Sequence, residues 1–205
     1  AAAPPLTQRP RKIRHGLSSI KNVFKIQDLR NKVLFTVAMV VVYRFGIAVR
    51  VPGIDAQAVA QIREGADSQG ALGFLNLFSG GGFDSFSIFA LGIMPYITSS
   101  IIMQILGVVI PRLEELQQQG AVGQRKITQY TRYVTMALAT LQATAIVWTF
   151  GSGQGQALFG PQAPSVPLLP DGVWPRGFLV IPSLVAGTAV LMWIGELISQ
   201  RGIGN

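Results

Sequence analysis

The sequence predicts an all-α protein that crosses a membrane several times, and three observations carry that prediction. Residues 86 to 110, FSIFALGIMPYITSSIIMQILGVVI, run 25 positions without a charged side chain. A helix of that length, rising about 1.5 Å per residue, reaches across the roughly 30 Å of a bilayer's hydrocarbon layer. The 205 residues are 49% hydrophobic and only 13% charged, with a mean hydropathy of +0.42, a balance that suits several spans joined by polar loops. The cations alternate along the chain: leaving out Arg44 inside the first apolar run, Lys and Arg number 8 before that run, then 2, 4, 1 and 1 in the connections and at the end. That is the positive-inside pattern, and it puts both ends of the chain on the cytoplasmic side. A soluble core is the competing reading, but the long uncharged helix lacks the polar face that amphipathic packing would show.

The elements follow in order. Residues 1 to about 20 are rich in Pro, Ala and basic residues without an apolar period, and are expected to be a mobile tail. His15 within it is a solvated residue, since a metal site needs several convergent donors. The basic flank can attract anionic headgroups; RNA contact is the alternative use of the same charge. In KNVFKIQDLRNK, residues 21 to 32, Val23, Phe24, Ile26 and Leu29 share a face, which predicts an amphipathic helix on the membrane surface. No small-residue cleavage pattern follows, so the run is not read as a signal peptide.

The first span is predicted at Val33 to Val49. It contains Arg44, either a charge inside a conduit or a long side chain reaching the far interface. VPGID, residues 51 to 55, is a turn at its exit. The loop from 50 to 84 holds GALGFLNLFSGGG, which is apolar but too short to span; it dips into the interface as a loop or folds back into a cavity as a half-helix. The second span, Phe86 to Ile110, is closed by Pro111 and carries Gly92, Pro95, Thr98, Ser99, Ser100 and Gln104. A plain lipid anchor has no need of these residues, so this span is expected to face other helices or a water-filled cavity. A basic loop from Arg112 to Arg132 comes next, then a third span at about Tyr133 to Phe150 and a Gly- and Pro-rich outer loop over residues 151 to 177. The fourth span is Phe178 to Gly195, where Ser183 and Gly187 have the spacing that lets helices approach closely.

Chemistry in the enzymatic sense is not expected. The spans offer no histidine or lysine, only Arg44 and, at an edge, Glu196, so no serine has a base within reach. The glycines at 80 to 82 lack the Lys-Ser or Lys-Thr of a phosphate loop. With no cysteine in the chain there is neither a thiolate nor a disulfide framework, and no metal or cofactor site is expected.

VPGID at 51 to 55, NLFSGG at 76 to 81, SIFALGIMPYIT at 87 to 98, RKITQYTRY at 125 to 133 and RGIGN at 201 to 205 stand in this order around the four spans. This set resembles the SecY family, the channel-forming subunits of the bacterial protein translocase, over about residues 25 to 205. The resemblance implies ten transmembrane helices in two inverted halves, of which this chain would supply the first four. It implies a conduit in the plasma membrane for unfolded polypeptide that also opens sideways to release apolar segments into lipid.

By motif position Ile93 and Ile97 would belong to the aliphatic ring that narrows the pore, and their spacing of four puts them on one helical face. The family's plug maps onto Phe74, Leu75, Asn76, Leu77, Phe78, Ser79, Gly80, Gly81 and Gly82, within a plug segment of about residues 71 to 84. Thr98 and Gln142 sit at positions of the polar cluster along the lateral gate; as buried polar residues they could equally be satisfied by a neighbouring helix. Arg125 and Lys126 mark a weak cytosolic contact, because LQQQGAVGQRK departs from the family's more acidic and arginine-rich loop. The implied partners are the SecE and SecG subunits, a ribosome or the SecA motor, signal sequences, nascent polypeptides and membrane lipid, with RNA touched only through the ribosome. The competing reading is a secondary transporter or ion channel with broken helices, but the residues around Pro95 are aliphatic rather than coordinating. A membrane-embedded protease would need a catalytic pair that is missing from the spans, and a plain scaffold leaves the plug-like segment without a purpose.

Overall fold

The computed structural model describes residues 27–66, 71–156, 167–169 and 172–202. The basic tail with His15, the first part of the expected surface helix and the last residues of RGIGN lie outside them. Within the described residues every extended regular element is a helix, and the pairing of Arg50 with Ser87 is an isolated bridge. In chain order the helices are α1 (Gln27–Ala48), α2 (Ala56–Ala66), α3 (Ala71–Phe78), α4 (Met94–Val109), α5 (Pro111–Gln118), α6 (Ala121–Gly151) and α7 (Gly177–Arg201). Three of these, α1, α6 and α7, are long and apolar enough to cross a membrane, and a fourth span results if α4 and α5 are taken together across their 99° bend.

Several boundaries differ from the sequence reading, each for a local reason. Residues 27 to 32 do not form a separate surface helix, because α1 runs unbroken from Gln27 into the first span with no proline and no glycine before Gly46. The second span is helical only from Met94. Gly80, Gly81 and Gly92 have φ of 59°, 88° and 60°, and Phe86 has 43°, so residues 79–93 turn repeatedly instead of propagating a helix. Pro95 then starts α4, where its missing N–H costs nothing. At the other end Ile110 is extended, with φ −100° and ψ 112°, as the residue before a proline must be, and this makes the bend into α5.

The stretch Arg112 to Arg132 is likewise not a loop. Its Leu, Glu and Gln residues carry α5, and Gly120, with φ 67°, separates it from α6. The Gly- and Pro-rich stretch after α6 has helical residues at 155–156, and residues 167–169 reach inward. Leu168 and Leu169 are buried, tied by Leu168 N–H to the Phe150 carbonyl at 3.0 Å and by Asp55 N–H to the Leu168 carbonyl at 3.0 Å.

The core lies where these turns meet α6 and α7. Phe83, Phe86, Ala90 and Leu91 pack with Ala139, Ala143, Val147 and Phe150 of α6, Val180 and Leu184 of α7, and Val51, Ala58 and Val59 from the first connection. Phe86 accepts a left-handed backbone, a strain of about 1–3 kcal/mol, against a gain of about 1.5–3 kcal/mol from burying its ring. The α6 face turned to its neighbours is small at every fourth position, with Thr131, Thr135, Ala139 and Ala143 all buried. Gly187 of α7 receives the backbone of Ile88 and the ring of Phe89 rather than a second helix, so the close approach read from its spacing with Ser183 is made by the turn region.

Candidate functional site

The short apolar segment that the sequence could not place is a helix, α3, ending in a glycine turn seated between α1 and the start of α4. Ser79 organises the turn. Its hydroxyl donates to the Asn76 carbonyl at 3.1 Å and accepts from Phe83 N–H at 2.9 Å, while its carbonyl accepts from Gly82 N–H at 3.1 Å. The Asn76 side-chain oxygen accepts from Asp84 N–H at 3.2 Å, closing the loop from the other side. Tyr43 of α1 donates its hydroxyl to the Ser79 carbonyl at 2.8 Å and stacks on Phe89, with ring centroids 5.7 Å apart. Sequence reading missed Tyr43, because nothing in the local pattern links it to a serine thirty-six positions on.

Phe78 and Ser79 press on Gly92. A side chain there would stand 2.8 Å from the Phe78 carbonyl oxygen and 2.9 Å from the Ser79 Cα. The plug candidates Phe74 to Gly82 are therefore divided between the end of α3 and this turn, with Phe74 and Leu77 exposed and Ser79 buried.

Ile93 follows Gly92 directly as the N-cap of α4, and its carbonyl accepts from Ile97 N–H at 3.1 Å, so the two isoleucines do share one face. The face continues. Ile93, Ile97, Ile101 and Ile105 are 42%, 37%, 52% and 59% exposed, while the opposite side of α4, Pro95, Ser99, Met103 and Gly107, is buried. An aliphatic row left open on a helix packed on its other side is the geometry of a lining, or of a surface that another segment covers.

α4 is fixed to α6 by Ser99, which is fully buried and donates its hydroxyl to the Thr131 carbonyl at 2.7 Å. The same carbonyl accepts from the Thr135 hydroxyl at 2.7 Å. Thr98 is half-buried one position before Ser99, and Gln142 is half-buried further along α6. At about 1.5 Å per residue, Gln142 stands roughly 16 Å along the axis from Thr131, so these two polar candidates occupy different heights. Between α4, α5 and α6, Tyr96, Ser100, Gln104, Gln117, Gln124 and Thr128 line a cavity of about 500 Å³. Its wall is polar but uncharged, able to hydrogen-bond water or peptide groups without the retention that a fixed charge would impose. Arg125 and Lys126 are exposed in the first turns of α6. At the same end of that helix Arg132 grips Glu196 of α7 through both carboxylate oxygens, with Nε to Oε1 at 2.7 Å.

Comparisons agree with the pattern of motifs. The SecY family model matches residues 87–205. The protein translocase subunit SecY of Streptomyces galbus is 50% identical over 190 residues, which is 92% of this chain and 43% of that protein. The corresponding protein of Micrococcus luteus is 46% identical over 190 residues, 92% of this chain and 42% of that protein. Among solved structures, Sec61 in the canine ribosome-channel complex from the endoplasmic reticulum aligns with 90% of this chain and 38% of its own, at 20% identity and a TM-score of 0.48. The chain spans less than half the length of the curated relatives it matches. With the family model covering more than half of the chain, this chain belongs to the SecY family.

Proposed function

We propose that this chain forms part of the wall and the closure of a protein-conducting channel in the bacterial plasma membrane. The carrying observation is the seat of the α3 turn on Gly92, immediately beside Ile93 and the open isoleucine row of α4. On this reading the row is one side of the conduit, Ile93 and Ile97 contribute to its hydrophobic constriction, and residues 74–82 are the plug that rests on it. Aliphatic side chains suit a passage for unfolded chains, because they hold back water and ions without binding any one sequence. The work is passage and not bond making, so no catalytic group is assigned.

Thr98 and Gln142 would lower the cost of opening the seam for apolar segments to leave into lipid, and Arg125 and Lys126 would face a cytosolic ribosome or SecA motor. SecE and SecG would cover further faces of the complete ten-helix protein, and both ends of this chain would lie in the cytoplasm. The test uses the complete channel with a secretory polypeptide arrested midway and a photo-crosslinker at Ile97 or, on the open side of α1, at Phe45. Crosslinks to the arrested chain are expected from Ile97 and not from Phe45; equal or reversed yields reject the conduit reading.

A further inference from the structure

Arg44, which the sequence left between two readings, is part of a cluster. Arg44 near the end of α1, Arg50 just beyond that helix and Arg63 on α2 line a single cavity of about 500 Å³. The acid in its wall is Asp84, beside the Ser85 hydroxyl. The ion pairs formed among the described residues are Lys32 with Asp28 and Arg132 with Glu196, so none of the three guanidinium groups has a carboxylate partner there.

The frame that holds them is built. The backbone on either side of Arg50 is bonded to the turn region, Val51 N–H to the Phe86 carbonyl at 3.2 Å and Ile88 N–H to the Val49 carbonyl at 3.0 Å. The first turn of α2 is already capped, with the Asp55 carboxylate accepting from Gln57 N–H at 2.7 Å. Three cations gathered around one hollow repel one another, and the arrangement relaxes when an anion enters. Guanidinium forks match the oxygens of a phosphate group in both charge and geometry.

We propose that this cavity binds a phosphate-bearing anion, and that the headgroup of an anionic phospholipid supplies it. The neighbouring surface favours a lipid over free phosphate. Val41, Phe45 and Val49 are exposed along the end of α1 next to the cavity, an apolar strip where acyl chains can lie while the headgroup sits among the arginines. The inference needs only that α1 spans the membrane, and it is independent of the conduit reading.

The experiment is native mass spectrometry of the complete protein in detergent, titrated in parallel with phosphatidylglycerol, with phosphatidylcholine of the same chains, and with inorganic phosphate. Wild-type protein is expected to retain phosphatidylglycerol over phosphatidylcholine. Replacing Arg63 alone by Gln should weaken that preference about five-fold, from about 1 kcal/mol per interfacial cation. The R44Q/R50Q/R63Q variant should lose the preference, and the R44K/R50K/R63K variant should recover part of it. The single Arg63→Gln change on the surface of α2 keeps the comparison available should the triple variant not fold. Phosphate binding that the Gln changes abolish, without any preference for phosphatidylglycerol, overturns the lipid source in favour of free phosphate. Retention of phosphatidylglycerol unchanged in the Gln variants overturns the site.

Discussion

Gly92 and Ser79 touch backbone to backbone: a β-carbon at Gly92 would lie 2.9 Å from the Ser79 Cα, inside any contact real side chains make. The left-handed φ of 60° at Gly92 and this contact together place the end of α3 next to the first residue of the isoleucine row. A glycine is required there twice over, by conformation and by space.

Replacing Gly92 with alanine should therefore unseat the segment. The left-handed conformation alone costs about 1–2 kcal/mol for a residue with a side chain, and the overlap with the Phe78 carbonyl adds to it. In the complete channel the expected result is a higher resting ion conductance in a planar bilayer together with a lowered thermal midpoint. Conductance and midpoint both equal to wild type would show that the segment does not depend on this seat.

The hydrophobic constriction is open to the same measurement. Ile93→Gly with Ile97→Gly removes two aliphatic groups from the proposed constriction, and dewetting of the pore should weaken. Resting leak is expected to rise, more so when residues 74–82 are also deleted. Leak unchanged even in the deletion background rules out a sealing role for these isoleucines.

Ser99→Ala takes away the bond to the Thr131 carbonyl, 2.7 Å long and fully buried, but leaves that carbonyl satisfied by Thr135. The loss should be modest. Interhelical polar contacts in membranes average about 0.6 kcal/mol, and unfolding in a denaturing detergent series should shift by about that amount. A loss several times larger would mean that Ser99 also sets the packing of α4 against α6.

The Arg132–Glu196 pair joins α6 to α7 with the carboxylate mostly buried and the guanidinium about half exposed. In a double-mutant cycle with Arg132→Ala and Glu196→Ala, a coupling of roughly 0.5–1 kcal/mol is expected, because solvent screens the arginine side. Arg132→Ala alone should destabilise more than the double change, since it strands Glu196 in a low-dielectric position. Additive effects would show that the pair is formed without holding the helices.

The chain's lack of cysteine makes its orientation readable. With single cysteines at Gln118, beyond the α4–α5 bend, and at Gln154, after α6, an impermeant thiol reagent outside intact cells should label position 154 and spare 118. Labelling of 118 alone would invert the topology.

The proposed gate residue Gln142 is expected to act weakly. Gln142→Leu in the complete channel should raise the hydrophobicity that a marginal guest helix needs for insertion, by an amount corresponding to about a three-fold shift between open and closed forms. Coincident insertion midpoints, or acceptance of less apolar guests, would remove Gln142 from the gate.

Read alone, the sequence determined the all-α class of the protein, the break at Pro111 and the family. These follow from local quantities: hydropathy summed over a window, proline geometry and short motif strings. It also singled out α3 as too short to span and placed Ile93 and Ile97 on a common face, because helical periodicity is a local property as well. Only the tertiary structure decided that Phe86 to Ile93 turn instead of entering a helix, that Leu168 and Leu169 enter the core, and that Tyr43 holds Ser79. It alone gathered Arg44, Arg50 and Arg63 into one cavity and joined Arg132 to Glu196. Each of these depends on which distant segments pack together, and backbone strain such as that at Phe86 persists only because burial elsewhere outweighs it.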